Sequence, residues 1–359
     1  MTSLLEKVER TISGRRLFRH GERVLVAVSG GVDSTVLLHL LQALAAQRCW
    51  KLFVVHFNHQ LRGRSSDADE RLVRATAVAL DLRFFVGTGP VGPLAQERGQ
   101  SIEMVARELR HAFIARTAAR LRIRAVALAH HADDQVELFF LRLLRGAGGE
   151  GIAGMKWCSP SPANPKVQLV RPLLDVSRVD LEQFARENKI RFREDASNAS
   201  HDFLRNRIRH ELLPLLRGRF QRALNQTVLR LMEIVGAEAQ FAEAAAHAWL
   251  THPHPSFENL AIPVARRVLQ LQLQRHKVRP DFDLIETLRL SPDKPVALSP
   301  VATVARGVAG RLSVSPISPP MFDQSGRAVE LKGRAGQGSF GGLRFHWRII
   351  KRRGTTLLR

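Results

Sequence analysis

Four short apolar runs, Arg23–Val28, Lys51–Phe57, Arg83–Val86 and Arg124–Ala129, alternate with longer stretches of helical spacing at Ser34–Ala46, Ser65–Leu80 and Ser101–Leu121. The runs are nearly continuous in apolar residues, as strands must be when helices cover both faces of a parallel sheet. This rhythm predicts an α/β domain with a doubly wound, mainly parallel sheet, whose ligands sit at the carboxyl ends of the strands. Further along, Ser159–Pro165 is rich in proline and is expected to be a surface loop. Val167–Leu174, a helical pattern at Ser177–Asn188 and the stretch Phe203–Leu216 follow. From about Gln221 to Gln274 the chain is rich in Ala, Leu, Glu and Gln, which predicts a small helical domain. A tail from about Lys294 mixes β-branched residues with Gly, Ser and Pro and closes on Arg348, Lys351, Arg352 and Arg353. The expected division is an α/β domain at 1–217, a helical domain at 218–293 and a short β-rich basic segment at 294–359.

The first predicted strand runs directly into Ser29-Gly30-Gly31-Val32-Asp33-Ser34 and then a helix. Two glycines let the backbone turn tightly and approach a ligand closely. The amides that follow point out of a helix N-terminus, where the dipole favours an anion. Ser29 and Ser34 can add hydroxyl donors, and Asp33 can hold a magnesium ion or cap the helix. The lysine of a Walker loop is missing. Taken alone, a Gly-Gly turn of this kind is usually an ordinary capped turn, but the full string between a strand and a helix resembles the phosphate loop of the ATP-pyrophosphatase (PP-loop) superfamily. That resemblance implies cleavage of ATP between its α and β phosphates.

Further strings narrow the resemblance. His56-Phe57-Asn58-His59-Gln60-Leu61-Arg62-Gly63 follows the second strand, and Ala129-His130-His131-Ala132-Asp133-Asp134-Gln135-Val136-Glu137 follows the fourth. Arg142-Leu143-Leu144-Arg145-Gly146, then Asp195-Ala196-Ser197-Asn198, Arg205-Asn206-Arg207-Ile208-Arg209 and Leu212-Leu213-Pro214 come in order. Over roughly residues 20 to 217 the chain resembles the tRNA(Ile)-lysidine synthetase family. Leu138 stands where the family commonly has threonine. The resemblance implies a carbon–nitrogen ligase that adenylates the wobble cytidine of the CAU anticodon of isoleucine tRNA at its carbon-2 oxygen. The ε-amine of free L-lysine then displaces AMP. It implies ATP and Mg2+ as cofactors, tRNA(Ile) and lysine as partners and a cytoplasmic setting without a membrane, and it allows a homodimer.

On that resemblance Ser29, Gly30, Gly31, Val32, Asp33, Ser34 and Arg107 are expected to bind ATP, with Asp33 and Asp133 nearest the magnesium. Asn58, His59, Arg62, Arg110, Arg145, Arg205 and Arg207 are expected on the substrate side. Asp134 and Glu137 lie three apart at a helix start and so share a face; a carboxylate pair suits the lysine ammonium. That ammonium, with a pKa near 10.4, must lose a proton before it attacks. His130, His131 or a carboxylate could take it. The acids could equally cap a helix, and either Arg107 or Arg110 could be a solvated helix residue.

Charge fits a polyanionic partner: 55 Lys and Arg against 33 Asp and Glu give a net +22. With no tyrosine and four tryptophans, any base-stacking platform rests on Phe, His or Trp. Cys49 and Cys158 form neither a CxxC pair nor a disulfide framework, which points to a reducing compartment and away from a thiolating relative. Amidotransferase-type relatives would explain the phosphate loop but not the charge. An inactive RNA-binding relative is countered by the intact Ser29–Ser34, Asp133, Asp134 and Glu137. The N-terminus lacks a signal-peptide core, and the most apolar stretch, Val36–Ala46, is too short to span a bilayer.

Overall fold

The structure is a computed structural model and describes residues 3–61, 63–193, 204–316, 333–340 and 343–349. The chain divides into two units, Met1–Gln240 and Phe241–Arg359. In the first, β1 (Arg23–Ala27), β2 (Lys51–Asn58), β3 (Arg83–Thr88), β4 (Ala125–Ala127), β5 (Cys158–Ser161) and β6 (Asn164–Val170) form one sheet in the order β3-β2-β1-β4-β6-β5. All neighbours are parallel except β5, which runs antiparallel on the edge. β1 lies between β2 and β4, so the winding direction reverses there. The crevice between the carboxyl ends of β1 and β4 is the expected place for a ligand.

The helices follow from where apolar faces must be buried. α1 (Leu4–Gly14), α2 (Val32–Arg48), α3 (Arg64–Ala79) and α8 (Arg178–Glu187) contribute to one core layer, which includes Val8, Leu37, Leu41, Val73 and Leu181. α2 sits on the sheet at the centre of this layer, and Leu37, Leu38, Leu40 and Leu41 are all fully buried. That burial is why its sequence is apolar on several sides rather than one. Each such leucine contributes about 1.5–3 kcal/mol relative to an exposed one. α5 (Ile102–Arg120) covers the other face through Ile114 and Ala118, packed near Leu25, Phe53 and Val126. α4 (Val91–Arg98) precedes α5, and Val91 and Ala95 pack with Val105 and Ala106.

One local expectation is corrected. The proline-rich stretch is not a surface loop: Cys158–Ser161 and Asn164–Val170 pair as the β5–β6 hairpin. Pro160 is accommodated because β5 is an edge strand, Pro162 lies in the connecting turn, and Pro165 precedes the part of β6 that pairs with β4. α6 (Ala132–Leu143) and α7 (Gly149–Ile152) lie between β4 and β5 in sequence. α9 (Leu204–Arg207), a π-helical turn at Ile208–Leu212 and α10 (Leu213–Arg219) run on as one helical stretch. Ile208, Leu213, Val228 and Met232 pack with Val136 and Phe139 of α6.

α11 (Leu224–Thr251) passes through the point where the two units divide. The second unit contains α12 (Ile262–Arg275), α13 (Phe282–Leu290) and the antiparallel sheet β7 (Val296–Ser299), β8 (Ala302–Arg306), β9 (Leu312–Pro316). A separate hairpin joins β10 (Ala335–Phe340) to β11 (Leu343–Arg348). The core of this unit holds Trp249, Phe257, Leu269 and Leu273, and the fully buried Arg306 donates to Leu288 O and pairs with Glu258. Among the described residues no helix is long and apolar enough to cross a membrane.

Candidate active site

The loop after β1 is tied together by its own hydroxyls. Ser34 Oγ accepts from the Ser29 amide at 3.0 Å and lies 3.0 Å from Ser29 Oγ; the Gly31 amide donates to Ser29 Oγ at 3.3 Å. Gly30 has φ +99°, a conformation only glycine adopts without strain, and Asp69 lies directly over it. His56, buried on β2, braces the same loop through Nδ1 and Val28 O at 2.8 Å, and burial holds its pKa down. The first turn of α2 therefore presents its free amides at a fixed, open N-terminus.

The loop after β4 lies alongside because β4 pairs with β1. His131 caps α6: its amide donates to Asp134 Oδ2 at 3.1 Å. Its ring meets three carboxylates, with Nε2 3.6 Å from both Asp33 and Asp134 and Nδ1 3.8 Å from Asp133. Burial alone would lower the His131 pKa, but the Asp33 contact and the charges of Asp134, Asp33 and Asp133 outweigh it and the net shift is upward. One side chain thus connects the Ser29–Ser34 loop to the acidic helix start.

The acids are not bare. Asp133 accepts from the Arg178 amide at 2.9 Å, from Asn225 at 2.9 Å and from Arg217 at 3.1 Å. Glu137, 2% exposed, accepts from Nε and Nη2 of Arg209 and from Arg205 Nε at 3.0 Å. Arg205 also reaches Asp134 at 2.9 Å. Despite its burial, Asp134 is held below the usual carboxylate range by His131, His130 and Arg205. Arg207 turns away, 3.7 Å from Glu211 on the exposed side. Of the Arg-Asn-Arg-Ile-Arg string, then, the first and last arginines face the acids. The helical stretch containing the π turn presents them together; such turns recur at functional sites.

Beyond Asp134 the lining is cationic. Burial and the charges of Arg171, Arg110 and Arg107 press the His130 pKa down to about 4 against the pull of Asp134, so the ring is neutral near pH 7. His111 on α5 is likewise held at about 4 by burial, Arg107, Arg110 and Arg171. Among the described residues, His130 Nδ1 and both His111 ring nitrogens are buried without a hydrogen-bond partner. Arg171 is 7% exposed and anchored to Lys156 O at 2.9 Å and Ser159 Oγ at 3.1 Å. Arg110 feels the carboxylate of Glu103 one to two turns back on α5, but burial and Arg107 outweigh it and hold its pKa below the usual arginine value.

The remaining expected residues divide. Asn58, buried, shapes the turn after β2: it donates to Asp67 and Glu70 at 3.2 Å and accepts from the Gln60 amide at 2.9 Å. His59 packs edge-on to Phe57, and Arg145 is exposed just beyond α6. Arg62 and the Asp195–Asn198 string lie outside the described residues. Sequence reasoning did not find Arg171, His111, Arg178, Arg217 or Asn225. Only the proximity of Arg171 to the strand end of β6 offered a signal, since residues just past strand ends line such crevices.

A metal fits this site at one residue more than the other. Asp33 Oδ1 is buried and has no hydrogen-bond partner among the described residues, as a carboxylate oxygen reserved for a hard cation would be. Both Asp133 oxygens already accept bonds. Among the described residues no group of three or more His, Cys, Asp or Glu converges to hold a metal ion. A cation at Asp33 would complete its shell with phosphate oxygens and water.

Residues 3–216 match the model of the PP-loop domain family. Curated proteins named tRNA(Ile)-lysidine synthase are similar to this chain. One from Geobacter sulfurreducens is 42% identical over 65% of this chain and 48% of its own length. One from Clostridium acetobutylicum is 34% identical over 68% and 51%. One from Solibacter usitatus is 36% identical over 73% and 58%. The chain thus spans about half the length of the curated relatives it matches. A solved U34-tRNA thiolase from Methanococcus maripaludis shares the fold, with a TM-score of 0.52 at 16% identity over 65% of this chain and 78% of that one. The sheet order, the Ser29–Ser34 loop at its switch point and the match over 3–216 agree: this chain belongs to the PP-loop domain family.

Proposed function

We propose that the chain is a tRNA(Ile)-lysidine synthase, using ATP to join free L-lysine to the wobble cytidine of a CAU-anticodon tRNA. The observation that carries this reading is the meeting of the Ser29–Ser34 loop with Asp134 through His131, and of Asp134 with Glu137 through Arg205, in a chain 34–42% identical to relatives of that name over about two thirds of its length. The loop amides and Ser29 and Ser34 hold the phosphates, and Arg107 faces the triphosphate. Mg2+, when bound at Asp33, supplies positive charge to the phosphates.

In the first step the cytidine carbon-2 oxygen attacks the α phosphorus and pyrophosphate leaves. In the second, the lysine ε-nitrogen forms its bond to carbon 2, and the carbon–oxygen bond to AMP breaks. The leaving AMP is an anion and needs no proton. Asp134 and Glu137 hold the lysine ammonium, and their own arginines must give way as it enters. Its proton must depart before attack. His130, neutral and with Nδ1 unbonded among the described residues, can accept a hydrogen bond from the ammonium and orient it, while its low pKa makes it a weak base. In this reading Arg110, Arg145 and Arg207 contact the RNA, and Arg205 covers the two acids until lysine enters.

The test is transfer of labelled lysine to an isoleucine CAU-anticodon transcript with ATP and magnesium, with pyrophosphate measured in parallel. Lysine in the RNA is the expected result. Pyrophosphate without lysine incorporation would keep the adenylating loop and reject lysine as the nucleophile. Neither product from folded protein and authentic tRNA would overturn the reading.

A further inference from the structure

The opposite end of the sheet from the candidate site has a different composition. β1 opens with Arg23, β2 with Lys51 and β3 with Arg83; Arg124 directly precedes β4, and Lys166 lies near the start of β6. The registers align Arg23, Lys51 and Arg124 and stagger the other two, with Arg83 two residues further along than Lys51 and Lys166 two residues before Gln168, the partner of Ala125. Arg23 is opposite Lys51, Phe53 is opposite Arg83, and Arg124 accepts the Gln168 amide at 2.7 Å next to the Val24–Ala125 pair. Adjacent strands are about 5 Å apart, so the row crosses five strands and roughly 20 Å.

Three arginines are fixed here by rings rather than by acids. Phe53 and Phe85 lie 6.5 Å apart on the α5 face. Arg23 stacks over Phe53 at 5.1 Å, and Arg83 and Arg120 both lie 5.6 Å from the Phe85 ring centre. Stacking orders a guanidinium without neutralising it. Arg23, Lys51, Arg83, Arg120, Arg122, Arg124 and Lys166 have no carboxylate partner among the described residues. The acids nearby are Glu22, which accepts from the Arg19 amide at 2.7 Å, and Asp81. Arg120 also ends α5, where a cation suits the dipole, but that role does not account for the row on the neighbouring strands.

We infer that this amino-terminal edge of the sheet is a second RNA-binding surface, which holds the phosphate backbone without reading bases. Its partner is a polyanion several phosphates long, because a single phosphate would not need a row of this length. A structured RNA fits better than an anionic membrane. No large apolar side chain is exposed along residues 19–23, 50–53, 81–85 and 120–125, so nothing here could anchor in a bilayer. β1 is five residues long, which sets this edge about 17 Å from the Ser29–Ser34 loop. An RNA with its anticodon at the candidate site would need a further limb to reach the row, or a second RNA would occupy it.

The inference does not depend on lysine transfer, so its test uses any folded transcript of tRNA size, whatever its anticodon. Affinity is measured with the full chain against salt for the parent and for the triple variant Arg83→Gln, Arg120→Gln, Arg124→Gln, all three exposed. Each lost phosphate contact removes a counterion, so the slope of log affinity against log salt should fall by about 2 to 3. Affinity at 0.1 M salt should drop at least tenfold, and lysine at the same three positions should restore both. An unchanged slope in a variant with parental circular dichroism would overturn the inference. So would unchanged RNA binding with lost binding to phosphatidylglycerol vesicles.

Discussion

Arg205 lies across the two acids proposed to receive the lysine ammonium, and replacing it with glutamine separates competing accounts of the site. Its Nη2 is 2.9 Å from Asp134 and its Nε 3.0 Å from Glu137, while its side chain is 44% exposed. Ion pairs this exposed contribute about 0.2–1 kcal/mol each, and two contacts sharing one guanidinium come to about 1 kcal/mol. In the variant Glu137 keeps Arg209, so the buried carboxylate is not stranded. A lysine that must displace Arg205 loses that energy, and Arg205→Gln should therefore tighten lysine binding about fivefold. Titration calorimetry of L-lysine into the full chain, with a non-hydrolysable ATP analogue present, reads the effect directly. The gain should shrink as salt rises, because an exposed pair is screened. Unchanged affinity would place lysine away from these acids. Weaker binding would make Arg205 part of the lysine seat rather than its competitor.

Three further outcomes follow from the geometry. Gly30→Ala forces a side chain into φ +99° against Asp69, at a cost of about 1–3 kcal/mol, and should abolish pyrophosphate release while leaving RNA affinity near parental. Glu137→Gln removes the charge that pairs Arg209 and Arg205 and should lower unfolding stability in urea by about 2–3 kcal/mol; an unchanged midpoint would show the pairs to be energetically idle. His111 has a pKa of about 4 when folded against an ordinary 6.5, so the unfolded chain binds its proton first as pH falls. Its contribution is intact above pH 6.5 and is lost toward pH 4, by up to about 3 kcal/mol. His111→Gln should flatten that part of the stability profile relative to the parent.

How much of this could be read from the sequence depended on whether the signal was local. The Ser29–Ser34 string sits between a strand and a helix, and its bonds run within six residues, so its conformation was legible. The His130–Glu137 string was legible for the same reason, and its approach to the loop followed from the parallel sheet. The partners of the acids were not legible. Arg209 and Arg217 meet Glu137 and Asp133 from 72 and 84 residues away, and no local pattern encodes such pairings. Arg171 and His111 lie on different elements and meet only through tertiary packing. α1 carried a readable mark, a Ser3–Glu6 capping box, but that segment was read only for targeting signals. In Ser159–Pro165 the prolines outweighed the strand propensity around them, because edge position is a property of the folded sheet.

The pairing of β1 with β4 has a consequence for chain length. Everything between them, from α2 through α5, leaves the sheet at one strand and returns at its immediate neighbour. The distance from Asp33 to His131 is then set by one strand spacing rather than by the excursion that separates them in sequence. The turn between α4 and α5, at the exposed Gly99 and Gln100, could be lengthened or cut with the Ser29–Ser34 and His130–Glu137 loops still held in register. Such a layout lets the periphery of the domain drift in size over evolutionary time while Asp33 and the acids after β4 keep their spacing.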